Sequence, residues 1–166
     1  MKTVVVAHNI RSTLNVGSFF RTCDGFGVDR LYLTGYTPYP RVDNDDRLRH
    51  IVEGLTDRIH KTALGAENSV PFSHYEDVLE LISKLKTEGY TVVGLEQSNR
   101  AMDIRSFHPA SNEMVALVLG EEVNGIPKVV LDHCPTLIEI PMKGAKESFN
   151  VSVALGIALY QLSLSI

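Results

Sequence analysis

Three stretches concentrate the residue types that could do chemistry: "NVGSFFR" at 15–21, "LGEEVNGIP" at 119–127 and "IPMKGAKESFNVSVALGIALY" at 140–160. Among their glycines stand Asn15, Arg21, Glu122, Ser148 and Asn150. Amide, hydroxyl, carboxylate and guanidinium groups of this kind bind and orient polar or anionic ligands. Each stretch lies at the C-terminal side of a predicted strand, where open α/β sheets gather their ligands. Singly the signals are ordinary, since a glycine after a strand makes a turn and Ser148 or Asn150 can cap a helix. Together, in this order and spacing, they are specific. No phosphate loop, GxSxG, HExxH or calcium loop competes with them.

The elements that must position these residues alternate between strand-like and helical patterns. "TVVVA" (3–7), "RLYLT" (30–34), "TVVGLE" (91–96), "MVALVLG" (114–120) and "LIEIP" (137–141) are brief, branched and apolar. They predict an α/β fold with a mostly parallel sheet and helices on both faces. A helix over about 17–26 turns Phe19, Phe20, Cys23 and Phe26 toward the core, points Arg21 elsewhere, and ends with Gly25 or Gly27 as its cap. "SHYE" at 73–76 reads as a capping box opening a helix through Val78, Leu79, Ile82 and Leu85 to Gly89. Segment 35–65 begins as a proline-containing loop and continues as a charged helix, with the acids of "DNDDR" (43–47) at its N-terminus. The last helix, about 149–164, is apolar on nearly every side, which predicts burial against a second copy of the chain.

With 166 residues, 44% of them hydrophobic and 22% charged, a single domain over 1–166 is expected. The apolar runs are too short or too interrupted to span a bilayer and no signal-peptide pattern opens the chain, so a cytoplasmic protein without membrane contact is expected. Cys23 and Cys134 lie far apart and the six histidines show no ligand spacing, so no metal site is expected. "GFGVDR" (25–30) lacks a third glycine and sits between a helix and the next strand, the reverse of a dinucleotide-binding context.

The net charge of -4 argues against nonspecific coating of nucleic acid. It conceals an asymmetry, because residues 1–61 hold 9 Lys+Arg against 7 Asp+Glu and the remainder 7 against 13. Arg41, Arg47, Arg49, Arg58 and Lys61 form a local surplus that could meet a polyanion or make up a solvated helix face.

On the three stretches the sequence resembles the SPOUT superfamily of RNA methyltransferases and, within it, the TrmH (SpoU-like) ribose 2'-O-methyltransferases. The pattern N-x-G-x-x-x-R-T falls on Asn15, Gly17, Arg21 and Thr22, and G-x-E-x-x-G on Gly120, Glu122 and Gly125. I-P-M-x-G-x-x-x-S-x-N-V-S falls on Ile140, Pro141, Met142, Gly144, Ser148, Asn150, Val151 and Ser152. The resemblance covers nearly the whole chain. It implies a C-terminal deep trefoil knot, which general topology rules would not suggest, S-adenosylmethionine (SAM) held by the knot loops, and an obligate homodimer. Carried over by position, Leu95, Gly120, Ile140, Met142 and Phe149 surround SAM, with Phe149 standing where the pattern has Leu. Asn15, Arg21, Glu122, Ser148 and Asn150 match the family's catalytic set.

The implied reaction needs no metal, because a sulfonium methyl is already electrophilic and the protein must align a ribose 2'-oxygen with it and remove a proton. The resemblance makes Arg21 the base, assisted by a substrate phosphate; a guanidinium is normally protonated, so clamping that phosphate is the alternative role. Asn15 and Asn150 orient the ribose and Arg21, Glu122 holds the arginine or the motif loops, and Ser148 shapes the substrate side. The resemblance implies that the Arg-bearing motif comes from one subunit and SAM from the other. Transfer RNA is expected ahead of ribosomal RNA, because compact relatives often act on it. With the first strand opening at Thr3 and the last helix closing the chain, recognition is expected from this domain, the dimer groove or an accessory protein, with 47–67 facing RNA. A non-catalytic RNA-binding or scaffold protein that retains the knotted fold is the alternative, and a small-molecule-binding α/β domain a third reading.

Overall fold

The structure is a computed structural model and describes residues 1–164. The branched apolar runs pair into one sheet of β1 (Lys2–His8), β2 (Arg30–Thr34), β3 (Phe72–Tyr75), β4 (Thr91–Leu95), β5 (Met102–Asp103), β6 (Met114–Leu119) and β7 (Thr136–Glu139). Their order is β3-β2-β1-β6-β4-β7-β5 and every pairing is parallel. β1 and β6 lie at the centre with almost every residue buried, which is why they read as continuous apolar runs.

Successive residues of β1 feed two cores, as the period of a strand requires. Val5 and Ala7 pack with Phe19 and Phe20 of α1 (Thr13–Phe26), Ile59 of α2 (Arg49–Ala63) and Leu155 and Leu159 of α5 (Val151–Ser163). Val4 and Val6 meet Leu81, Ile82 and Leu85 of α3 (Val78–Thr87) and Val130 of α4 (Lys128–Leu131). The parallel sheet with helices on both faces is therefore what forms. From β1 the chain builds β2 and β3 on one side and then crosses to build β4 to β7 on the other. The C-terminal ends of β1, β6, β4 and β7 meet at that crossing, the usual place for a ligand in such a sheet.

α1 begins a turn earlier than its apolar arc suggests. Ser12 caps it, the hydroxyl accepting from the Asn15 amide at 3.3 Å, and Gly27 closes it at φ 63°. The Gly27 and Val28 amides return to the Asp24 and Cys23 carbonyls, so Gly27 and not Gly25 is the terminator.

Two boundary expectations are corrected. Ser73 does not cap α3: it lies in β3 beside Tyr32, and its hydroxyl accepts from Arg30 Nη1 at 2.9 Å. The cap is Asp77, whose carboxylate accepts from the Leu79 and Glu80 amides immediately before the apolar turn. The acids of 43–47 do not open α2 either, which starts at Arg49 with no acid in its first turn. Asp45 is instead drawn to Arg47, whose guanidinium also donates to the Tyr39 and Pro40 carbonyls and lies 3.5 Å over the Tyr39 ring. Among the described residues no helix is long and apolar enough to cross a membrane, and no group of His, Cys, Asp or Glu is placed to hold a metal ion.

Candidate active site

The turns leaving the strand ends enclose a cleft of about 330 Å³, within the range of roughly 300–1,000 Å³ typical of small-molecule sites. Leu95 ends β4, Gly120 follows β6 and Ile140 follows β7, so adjacent strands deliver three of the residues expected around a cofactor. Phe149, Val151 and Ala154 add apolar lining from the start of α5. Met142 does not line the cleft; it is half-buried in the loop between β7 and α5.

Glycine at 120 is dictated by packing. A Cβ there would lie 2.2 Å from the Gly125 carbonyl carbon and oxygen, because the 121–125 turn folds back on the strand end. Gly125 has φ 66°, and its amide donates to the Glu121 carbonyl at 3.0 Å. The turn is tied down by Glu96, whose Oε2 accepts from the Ile126 amide at 2.7 Å. Gln97 Nε2 donates to the Glu147 carbonyl at 2.6 Å, joining the end of β4 to the loop before α5. Sequence reasoning missed Glu96 and Gln97. Their signal was position alone, directly after Leu95 at a strand end.

Three of the five polar candidates form one connected chain. Glu122 Oε1 accepts from Asn15 Nδ2 at 2.8 Å, and Asn15 Oδ1 accepts from Asn150 Nδ2 at 3.3 Å. Asn150 is also the cap of α5, its Oδ1 accepting from the Ser152 amide at 2.8 Å. The Arg11 and Ser12 amides at the start of α1 donate to the same Glu122 carboxylate. α1 has no acid in its own first turn, so Glu122 supplies the negative charge that a helix N-terminus favours. Partial burial pushes the Glu122 carboxyl up, but the hydrogen bonds from Asn15 and the backbone amides outweigh it and hold the group below its ordinary value.

The remaining candidates stand apart from this chain. Ser148 lines the cleft and is exposed, without a hydrogen bond among the described residues. Arg21 is exposed on α1, and its side chain makes no hydrogen bond or ion pair among the described residues. Of the basic surplus, Arg41, Arg49, Arg58 and Lys61 are exposed, with Arg41 and Arg49 both reaching Glu53. Arg47 is spent inside its own loop.

The sequence model of the SpoU rRNA Methylase family matches residues 2–160. The chain belongs to this family. This SpoU-family chain is 32% identical over 162 residues to a TrmH family tRNA/rRNA methyltransferase of Staphylococcus haemolyticus, an alignment covering 98% of the chain and 58% of that relative. It thus spans little more than half the length of the curated relatives it matches. Its fold matches the AdoMet-bound rRNA methyltransferase of Sinorhizobium meliloti with a TM-score of 0.80 at 23% identity, over 96% of this chain and 55% of that one. A protein solved for insight into the 2-OH methylation of C/U34 on tRNA matches with a TM-score of 0.76 at 22% identity, over 99% of this chain and 95% of the other.

Proposed function

We propose that this SpoU-family chain is a SAM-dependent RNA methyltransferase acting on a ribose 2'-hydroxyl, with transfer RNA as the substrate class. The observation that carries the reading is the Asn150–Asn15–Glu122 chain at the edge of the strand-end cleft. The cleft fits the cofactor in volume and in chemistry, because strand-end backbone around Gly120 and Ile140 offers hydrogen bonds to an adenosine while Leu95 and Phe149 offer apolar walls. SAM would supply there a sulfonium methyl, an electrophile that needs no metal. A relative of nearly equal length concerned with tRNA, against longer relatives described for tRNA or rRNA, favours tRNA.

In this reading Asn15 and Asn150 orient the ribose, and Glu122 fixes Asn15 and the start of α1. Ser148 shapes the substrate side of the cleft. Arg21 clamps the phosphate beside the target and stabilises charge as the 2'-oxygen passes its proton to solvent. Since the Arg21 side chain makes no hydrogen bond or ion pair among the described residues, it is read as serving the cleft of a partner subunit. The surface for that partner is α5, where Val153, Tyr160 and Leu164 stay exposed along one stripe with Ile157 between them. A homodimer through α5 covers the stripe. The passage of the 140–150 loop beside the end of β4, held by Gln97, supports the trefoil knot of SPOUT proteins. Arg41, Arg49, Arg58 and Lys61 are assigned to RNA phosphates, with Arg47 holding the loop that presents them. One domain over 1–166, in the cytoplasm, completes the reading; residues 165–166 lie outside the described residues.

The test is calorimetric titration with SAM followed by transfer of labelled methyl to RNA from cells lacking this protein. Wild-type protein should bind SAM and place label on a ribose 2'-oxygen. Arg21→Ala should keep SAM binding and lose about 100-fold or more in transfer. A folded protein that does not bind SAM, or an Arg21→Ala variant as active as wild type, would overturn the assignment.

A further inference from the structure

β1 and β2 both give way to left-handed residues, Asn9 at φ 57° and Gly35 at φ 63°. These turns interlock. A Cβ on Gly35 would fall 2.0 Å from Asn9 Oδ1 and 3.3 Å from His8 Cε1, and the same Asn9 oxygen accepts from the Tyr36 amide at 3.3 Å. The arrangement aims Tyr36 outward, 57% exposed, and no aromatic ring packs on it among the described residues. Nearby Tyr39 is used internally, stacked on His74 with centroids 4.3 Å apart.

The exposed ring is nonetheless held at its far end. Its hydroxyl donates to Glu121 Oε2 at 3.1 Å, and Asn124 Nδ2 donates to the other oxygen of that carboxylate. Glu121 and Asn124 both line the cleft, so the ring stands at its border. Arg11 is exposed, and its amide donates to Glu122, the residue that follows the Glu121 holding the ring. A large aromatic fixed at both ends has little rotamer freedom left to lose when a flat partner docks on it. Every nucleobase has such a flat face.

We infer that Tyr36 is a stacking platform for a nucleobase at or next to the methylated nucleotide, a positioning contact at the border of the cofactor cleft. The inference rests on the RNA methyltransferase reading above. The experiment measures SAM affinity, thermal unfolding, and kcat and KM for RNA from cells lacking this protein, in wild type, Tyr36→Ala, Tyr36→Phe and Tyr36→Trp. Stacking predicts that Tyr36→Ala keeps the SAM affinity and unfolding temperature of wild type while its KM for RNA rises roughly 5- to 150-fold. Tyr36→Phe and Tyr36→Trp, which keep a flat ring, should recover most of that loss. Unchanged KM in Tyr36→Ala overturns the platform, as does loss of SAM binding or fold in parallel with KM, which would make Tyr36 a support for the 121–125 turn. If wild type binds no SAM and transfers no methyl, the methyltransferase reading fails first and the platform falls with it.

Discussion

Glu122 carries three donors on one half-buried carboxylate: Asn15 Nδ2 and the Ser12 amide on Oε1, and the Arg11 amide on Oε2. A glutamine has only one acceptor oxygen, so whichever side its nitrogen takes must face a donor. Glu122→Gln should therefore cost about 1–3 kcal/mol of stability at neutral pH. The sign with pH follows from the lowered carboxyl. Its stabilisation is complete above the unfolded value of about 4.3 and is lost as pH falls from there through the lower folded value. Urea unfolding at a series of pH values should show the gap between wild type and variant narrowing as pH falls below the unfolded value of about 4.3; a gap that stays constant would mean that the charge contributes nothing. Asn15, Glu122 and Asn150 stand out in the sequence by their places in stretches that follow predicted strands, although Asn150 reads equally as the helix cap that it also is. The role of Arg47 is not. A guanidinium in a charged segment reads the same whether its acceptors are RNA phosphates or the Tyr39 and Pro40 carbonyls of its own loop, and only the path of that loop decides.

At the scale of elements, the second residue of the N-x-G pattern acts through packing. Gly17 lies where α1 crosses α2: a Cβ would stand 2.2 Å from the Ile59 carbonyl oxygen and 2.2 Å from Thr62 Oγ1, which donates to the Leu14 carbonyl. On helix propensity alone Gly17→Ala should stabilise α1 by about 0.8–1.0 kcal/mol. The close approach reverses the sign, and forcing the helices apart should cost about 1–3 kcal/mol. Denaturant unfolding decides between them, and a more stable Gly17→Ala protein would show that α2 yields freely. The same displacement moves Asn15 and Arg21, so transfer should fall with stability. The long strands and the helices α1, α2, α3 and α5 follow from apolar period and from caps such as Gly27, whereas the single turn of α4 is not among the expected elements. The start of α3 does not, because Ser73 satisfies a capping pattern and a short edge strand equally well. Arg30, brought alongside by the sheet, takes the hydroxyl that the cap would have used. A crossing glycine is equally silent in the sequence, since nothing near residue 17 announces Ile59.

For the whole molecule, the decisive question is whether one chain holds a complete site. The asparagine–glutamate chain and the cleft belong to a single copy, whereas Arg21 leaves α1 without a side-chain hydrogen bond or ion pair among the described residues. Leu155, Ala158, Leu159 and Leu162 bury one side of α5, while Val153, Tyr160 and Leu164 remain exposed on the other. In a symmetric dimer the same patch serves both subunits, so each would offer its arginine to the other and receive one in return. That arrangement makes a quantitative demand. On the proposed function, Arg21→Ala and Asn150→Ala homodimers should each be nearly inactive, the first lacking the donated arginine and the second the amide assigned to the ribose. A heterodimer of the two, co-expressed with different tags and purified through both, pairs the intact cleft of one subunit with the intact arginine of the other. It should recover about half of wild-type turnover, one complete site out of two. If Arg21 served its own cleft, each subunit of that heterodimer would still carry a defect and no activity would return. In otherwise wild-type chains, replacing Val153 and Tyr160 with aspartate should split the dimer, seen as a halved mass by light scattering, and abolish turnover; a fully active monomer would place the whole site in one chain.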